Sequence, residues 1–117
     1  MVEMESAKSV LEPLAWLMQM ITGLLMILLV TAHFYVTHMT THDALRYAEV
    51  VERVAQPEFK ALYALLLLAV SFHAFNGLRA ILLDTNAGMR KKGAVSALTT
   101  LAFLLAFFYG LYLLFSI

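Results

Sequence analysis

Three long apolar stretches dominate this sequence and limit its fold more than any other feature. They run from Leu14 to about Val36, from about Ala61 to Leu83, and from about Gly93 to Ile117. Each exceeds the ~20 residues that an α-helix needs to cross the hydrocarbon core of a bilayer. Because unpaired backbone groups are too costly in lipid, the sequence predicts an all-α integral membrane protein with three transmembrane helices. We expect these helices at about 14–38, 59–84 and 92–116 of a single domain, 1–117.

Composition excludes the main soluble classes. Hydrophobic residues make up 62% of the chain and charged residues 14%, against about 45–50% and about 25% in soluble domains. A soluble domain of this size could not bury that much apolar surface. Eight basic residues balance eight acidic ones, so no basic field attracts nucleic acid. The chain has no cysteine, which excludes thiol catalysis and iron–sulfur ligation by this chain.

The segments around the apolar stretches carry their own signals. Between the first two spans, 40–60 is polar but has apolar residues at helical spacing, which indicates a short interfacial helix. The sequence 84–88 is typical of a helix end and a turn. Pro13 suits the first turn of the first helix. The segment before Leu14 holds three Glu and one Lys, unlike a signal or transit peptide, so we expect the first span to be retained.

The basic residues predict an orientation. Five of them fall on the side of the N-terminus and the second loop, and three fall on the side of the first loop. The excess predicts that the N-terminus lies inside and the C-terminus outside. With no targeting peptide recognised, we expect the cytoplasmic membrane of a bacterium or an archaeon. The two groups are Lys8, Arg79, Arg90, Lys91 and Lys92 against Arg46, Arg53 and Lys60.

Two histidines inside the spans are the candidate functional residues, because ionisable groups in a membrane usually serve a function or a partner. His33 shares one arc of its helix with Gln19 and Thr22. His73 lies in a stripe of small residues that includes Gly77, where a β-carbon would obstruct a bulky planar ligand. Two interpretations remain open here: an axial haem ligand, or a hydrogen-bonded histidine at a small-residue helix contact.

The two histidines differ in depth. His73 lies eleven residues before Asp84, or about 16 Å from the inner boundary. His33 lies nineteen residues after Leu14, or about 28 Å from the same side. A difference near 12 Å is too large for one iron. If both histidines are ligands, they serve two metal centres, each completed by a histidine of another chain.

Three segments resemble the membrane-anchor subunits of succinate dehydrogenase and fumarate reductase (complex II). His73–Asp84 is similar to the second-helix motif of that family: a haem-ligating His, a Gly four residues on, often an Arg, and an Asp at the helix end. Trp16–Gly23 is similar to the start of the first helix in the smaller anchor. Ala32–Phe34, followed by His38, is similar to the late first helix of anchors that hold two haems.

The resemblance implies roles for individual residues. His73 corresponds to the iron ligand of the inner haem b, and His33 to that of the outer haem b. Arg79 corresponds to the arginine that pairs with a haem propionate; alternatively, its side chain extends to the inner boundary.

A quinone site is implied less directly. Asp84 corresponds to an acidic residue near the quinone pocket of some members, or simply ends its helix. Gln19 and Thr22 could donate hydrogen bonds near that pocket, or pair with a partner helix. Two positions depart from the family: Met20 stands where many relatives carry an arginine, and Thr85 where some carry a tyrosine. We therefore expect a partner anchor to supply most of the quinone contacts.

The expected function is that of a non-catalytic anchor subunit of succinate:quinone oxidoreductase, the smaller of two. The resemblance implies a second anchor, an iron–sulfur subunit and a flavoprotein subunit as partners, and haem b (two copies, each shared with a partner chain) and a quinone, expected to be menaquinone, as cofactors. A variant within the family holds one haem, on His73 alone. A rival from another class is a haem-free oligomeric transporter or structural subunit, in which both histidines serve packing or proton relay.

Overall fold

The computed structural model is built from α-helices, and it describes residues 2–117, with side chains from Val10 onward. No strand occurs in that range. A short π-helical turn, Tyr35–Met39, continues the first helix. The helices are α1 (Val2–Phe34), α2 (Tyr47–Ala55), α3 (Pro57–Leu83), α4 (Asn86–Arg90) and α5 (Lys92–Phe115).

Three of these helices are long and apolar enough to cross a membrane, which confirms the predicted fold class. The spans are Val10–Met39, α3 and α5. The central helix is α3, since both α1 and α5 pack along it. The molecule is 56 Å long, whereas a hydrocarbon core is ~30 Å thick, so its two ends reach beyond the core. We name them the α4 end and the α2 end, after the short helix that each one holds.

The first helix begins earlier than expected. Pro13 lies inside α1 and not in its first turn, so that interpretation was wrong. A proline suits a helix start because its missing N–H is not needed there, but a long helix can also continue past it at the loss of one backbone hydrogen bond.

Near the other end of the first span, the buried Thr37 donates a hydrogen bond to the carbonyl oxygen of His33 (2.8 Å).

The predicted short helix between the first two spans is confirmed by α2, which packs against α3. Val54 of this helix and Ala44 of the preceding loop are buried. Arg53 of α2 links this helix to α3 and to the preceding loop. Its Nε donates to the hydroxyl of Tyr63 on α3 (3.3 Å), and its guanidinium also donates to the carbonyl oxygen of Ala44 (3.1 Å).

Lys60 ties α3 to the end of α5. Its Nζ donates to the carbonyl oxygens of Leu114 (2.9 Å) and Ile117 (3.3 Å). The last carbonyl groups of a helix have no partner within the helix, and a cation there interacts favourably with the helix dipole. Lys60 therefore caps the last span from a neighbouring helix.

The predicted stop between the second and third spans is confirmed, and it holds a short helix as well as a turn. Asp84 caps the C-terminus of α3. Thr85 caps the N-terminus of α4 by accepting a hydrogen bond from the backbone N–H of Gly88 (3.0 Å). Gly88 is required sterically, because a β-carbon there would overlap the carbonyl oxygen of Leu82.

Candidate functional site

His73 faces α1 through one edge of its ring. Its Nδ1 lies 3.3 Å from the hydroxyl oxygen of Thr22 and 3.3 Å from the carbonyl oxygen of Gln19. The Thr22 hydroxyl lies within donating distance of two carbonyl oxygens of its own helix, at 2.8 and 3.1 Å. The hydroxyl hydrogen of Thr22 is therefore used within α1. The oxygens of Thr22 and Gln19 that face Nδ1 can then only accept, so Nδ1 is the ring nitrogen that carries a hydrogen. The lone pair of the neutral imidazole is therefore on Nε2.

Gln19 joins α1 to α3 next to this histidine. Its Nε2 donates to the carbonyl oxygen of His73 (3.1 Å), and its Oε1 accepts from Nδ2 of Asn76 (2.9 Å). Gly77 makes room for this side chain, since a β-carbon there would lie 3.0 Å from Nε2 of Gln19. In this structure the missing side chain of Gly77 accommodates Gln19; its role beside a planar ligand stays a prediction.

His33 has a different environment near the α2 end. Its ring packs edge to face against Tyr63, with centroids 5.5 Å apart and planes at 81°. Its Nδ1 is buried and has no hydrogen-bond partner among the described residues. Because Nδ1 is sealed inside the chain, Nε2 is the nitrogen left for a group from outside.

The two histidines lie at well-separated levels, in agreement with the depth argument. Thr22, which contacts His73, precedes His33 by eleven residues on α1, or about 16 Å. Tyr63, which contacts His33, precedes His73 by ten residues on α3, or about 15 Å. Two helices thus give the same separation independently, and it is slightly larger than the sequence indicated.

A cavity of about 360 Å³ opens at the α4 end, between α1, α3 and the start of α5. It brings together three candidate residues: Gln19, Arg79 and Asp84. Thr22 does not line it, because this side chain is buried against His73. The lining also includes Glu12, Trp16, Asn76 and Lys92.

The charged groups of this cavity are only partly paired. Glu12 and Lys92 form an ion pair (2.9 Å) that links α1 to α5. Nε of Arg79 donates to the hydroxyl of Ser96 on α5 (3.0 Å). Within the described residues, no carboxylate lies at ion-pair distance from Arg79. The guanidinium therefore keeps donors for an anionic or polar group in the cavity.

Some residues of the site were not assigned from the sequence. Asn76 is three residues from His73 and so on a neighbouring part of the same helix face, which is the signal that could have indicated it. The pairing of Glu12 with Lys92 has no sequence signal, since eighty positions separate them.

The described residues contain no group of three or more His, Cys, Asp or Glu side chains suited to a metal ion. A haem iron differs from such an ion, because the protein needs to supply only an axial imidazole.

The three long apolar helices define a multi-pass membrane protein, and comparison with known proteins identifies its family. Residues 6–113 match the family described as succinate dehydrogenase/fumarate reductase transmembrane subunit, and the chain belongs to this family. It is similar to a succinate dehydrogenase hydrophobic membrane anchor subunit of Thermoplasma acidophilum, with 24% identity over 93 residues, 79% of this chain and 76% of the relative. No solved structure matches significantly. The family indicated by the sequence motifs is thereby confirmed.

Proposed function

We propose that this membrane anchor binds haem b through His73 and takes part in electron transfer between an iron–sulfur subunit and a quinone. The observation that carries the proposal is the environment of Nδ1, which faces the oxygens of Thr22 and Gln19 at 3.3 Å. In metal-ligating histidines the other ring nitrogen commonly donates to an acceptor, which sets the tautomer and orients the ring. A bound b-type haem would supply one-electron transfer.

The residues around His73 support this role. Hydrogen bonding at Nδ1 leaves the Nε2 lone pair for iron and raises its basicity. Gly23 allows the ring to sit against α1, since a β-carbon there would lie 3.2 Å from Cε1 of His73. Gln19 holds the main chain of the ligand through the carbonyl oxygen of His73. His73 would therefore offer one ligand to the iron in a defined orientation.

We propose His33 as the ligand of a second haem b. The separation of about 15 Å along the bundle means that one iron could not bind both histidines. Nδ1 of His33 is buried without an acceptor among the described residues, so Nε2 is the nitrogen that would bind iron, and this ring lacks the orienting hydrogen bond that His73 has. Each haem would then take its second axial histidine from a second anchor subunit.

The cavity at the α4 end is proposed to serve the polar groups of the cofactors. Arg79 would pair with a haem propionate, because a guanidinium forms strong bidentate bonds with carboxylates. Gln19 and Asp84 would lie near the head group of the quinone, expected to be menaquinone. The remaining quinone contacts would come from the second anchor.

The α4 end is proposed to face the cytoplasm, with the iron–sulfur and flavoprotein subunits docked against it. This end carries the basic run 90–92 and the N-terminal part of α1, in accordance with the bias of basic residues towards the inside. The C-terminus of α5 would face outside, in a bacterial or archaeal cytoplasmic membrane.

The experiment is a haem count on the complex purified from native membranes. A dithionite-reduced minus oxidised spectrum and a pyridine haemochrome assay should give two b haems per copy of this chain. His73→Ala should remove the inner haem and His33→Ala the outer one, each leaving the other visible. His42→Ala, in the exposed loop, is the control and should retain both.

A haem count other than two would contradict a specific part of the proposal. One haem in the native complex, lost in His73→Ala, would make His33 a structural residue. Loss of both haems from either single change would contradict the separation of the two sites. No haem at all would reject the electron-transfer role and favour the transporter or structural alternative.

A further inference from the structure

We infer that Thr22 is a positioning residue for His73, and that its hydroxyl sets the ring orientation and the electron donation of this imidazole. The inference rests on the haem-binding function proposed above and assigns Thr22 to the protein side of the ligand, away from the quinone. Its basis is the contact of 3.3 Å between Oγ1 of Thr22 and Nδ1 of His73.

A comparison within the chain separates this contact from ordinary packing. Thr22, Thr37 and Thr99 are all buried, each with 6% exposure. Each donates its hydroxyl hydrogen to the carbonyl oxygen four residues earlier, at 2.8 Å. Such local bonds satisfy a threonine inside a membrane helix and require nothing from a neighbour. Of the three hydroxyl oxygens, only that of Thr22 also meets a histidine nitrogen.

The Thr22 hydroxyl and the Gln19 carbonyl together determine the orientation of the ring. Both oxygens lie 3.3 Å from Nδ1, so the hydrogen on Nδ1 has acceptors that are supplied entirely by α1. The Gln19 acceptor is main chain and stays in every variant. The Thr22 acceptor is a side chain, so it can be removed alone. Gly23, one position further on, leaves room for the ring at 3.2 Å from Cε1.

The consequence for a bound haem is electronic as well as steric. An acceptor at Nδ1 makes the coordinating Nε2 a stronger donor and stabilises the ferric state. Removal of the Thr22 oxygen should therefore raise the midpoint potential of the haem on His73. It should also let the imidazole plane rotate, which changes the g values of the low-spin ferric haem. A threonine that merely packs would change neither quantity.

The test compares three variants in the purified complex, with redox titration and electron paramagnetic resonance of the oxidised haem as readouts. Thr22→Val keeps the shape and removes the oxygen, and it should raise the potential, shift the largest g value and weaken haem retention about tenfold. Thr22→Ser keeps the hydroxyl and should restore the native spectrum and potential. Thr99→Val removes an equally buried hydroxyl and should change neither.

Gly23→Ala provides an independent perturbation of the same ring edge while the hydroxyl of Thr22 stays in place. It should shift the g values as well, because the new methyl group would press on Cε1. Unchanged g values and potential in Thr22→Val, or an equal shift in Thr99→Val, would overturn the inference. If His73→Ala loses a haem while Thr22→Val changes nothing, only the positioning role fails; if His73→Ala keeps every haem, the proposed function fails.

Discussion

Replacement of Gln19 by leucine directly tests the hydrogen-bonded contact between α1 and α3. The change removes two interhelical hydrogen bonds, to the carbonyl oxygen of His73 (3.1 Å) and from Asn76 (2.9 Å). Such bonds between membrane helices contribute about 0.6 kcal/mol on average and up to ~1.7 kcal/mol each. Leucine has a similar volume, so no large cavity is added. We expect the free energy of unfolding to fall by about 1 kcal/mol, with an upper bound of about 3 kcal/mol.

The assay is unfolding of the purified complex in mixed micelles with increasing SDS, followed by the loss of helix signal. Thr31→Val is the control on α1, because Thr31 is exposed and bonds only to Ile27 of its own helix. Combining Gln19→Leu with Asn76→Leu forms a double-mutant cycle, which should show a coupling of about 0.5–1.5 kcal/mol. Zero coupling, or an equal loss in Thr31→Val, would refute the assignment of Gln19 as an interhelical joint.

Three further changes test the packing that holds the site. Gly88→Ala should lower the free energy of unfolding by about 2–4 kcal/mol, because its β-carbon would overlap the carbonyl oxygen of Leu82 and crowd the hydroxyl of Thr85 that caps α4; an unchanged melting temperature would contradict this. Gly110→Ala should cost about 1–3 kcal/mol, since its β-carbon would lie 2.6 Å from a methyl group of Leu67, whereas Gly93→Ala, with open space around it, should cost nothing measurable. Lys60→Met should expose the last turn of α5 to faster amide hydrogen exchange, because two carbonyl caps are lost; protection equal to that of the native chain would exclude the capping role.

The positions of residues along the membrane normal were readable from the sequence, because backbone geometry alone sets them. Each helical residue adds about 1.5 Å, so the levels of His33 and His73 follow from counting, whichever way the helices turn. The same holds for the number of spans, for α2 and for the stop at Asp84, which depend on local hydropathy and turn chemistry. The start of α1 was misjudged because Pro13 permits two local solutions, a first turn or a helix interior.

The neighbours of each side chain were not readable in the same way. In lipid no hydrophobic force selects the face that one helix presents to another, and close packing with a few hydrogen bonds decides it instead. The sequence could therefore not show that Gln19 lies against Gly77, a contact that depends on how α1 packs on α3. Thr22 lies on the arc that the helical period indicated, yet its contact is with Nδ1 of His73 and not with the cavity. Counting along a helix determines depth, whereas rotation about its axis is settled only when the helices pack.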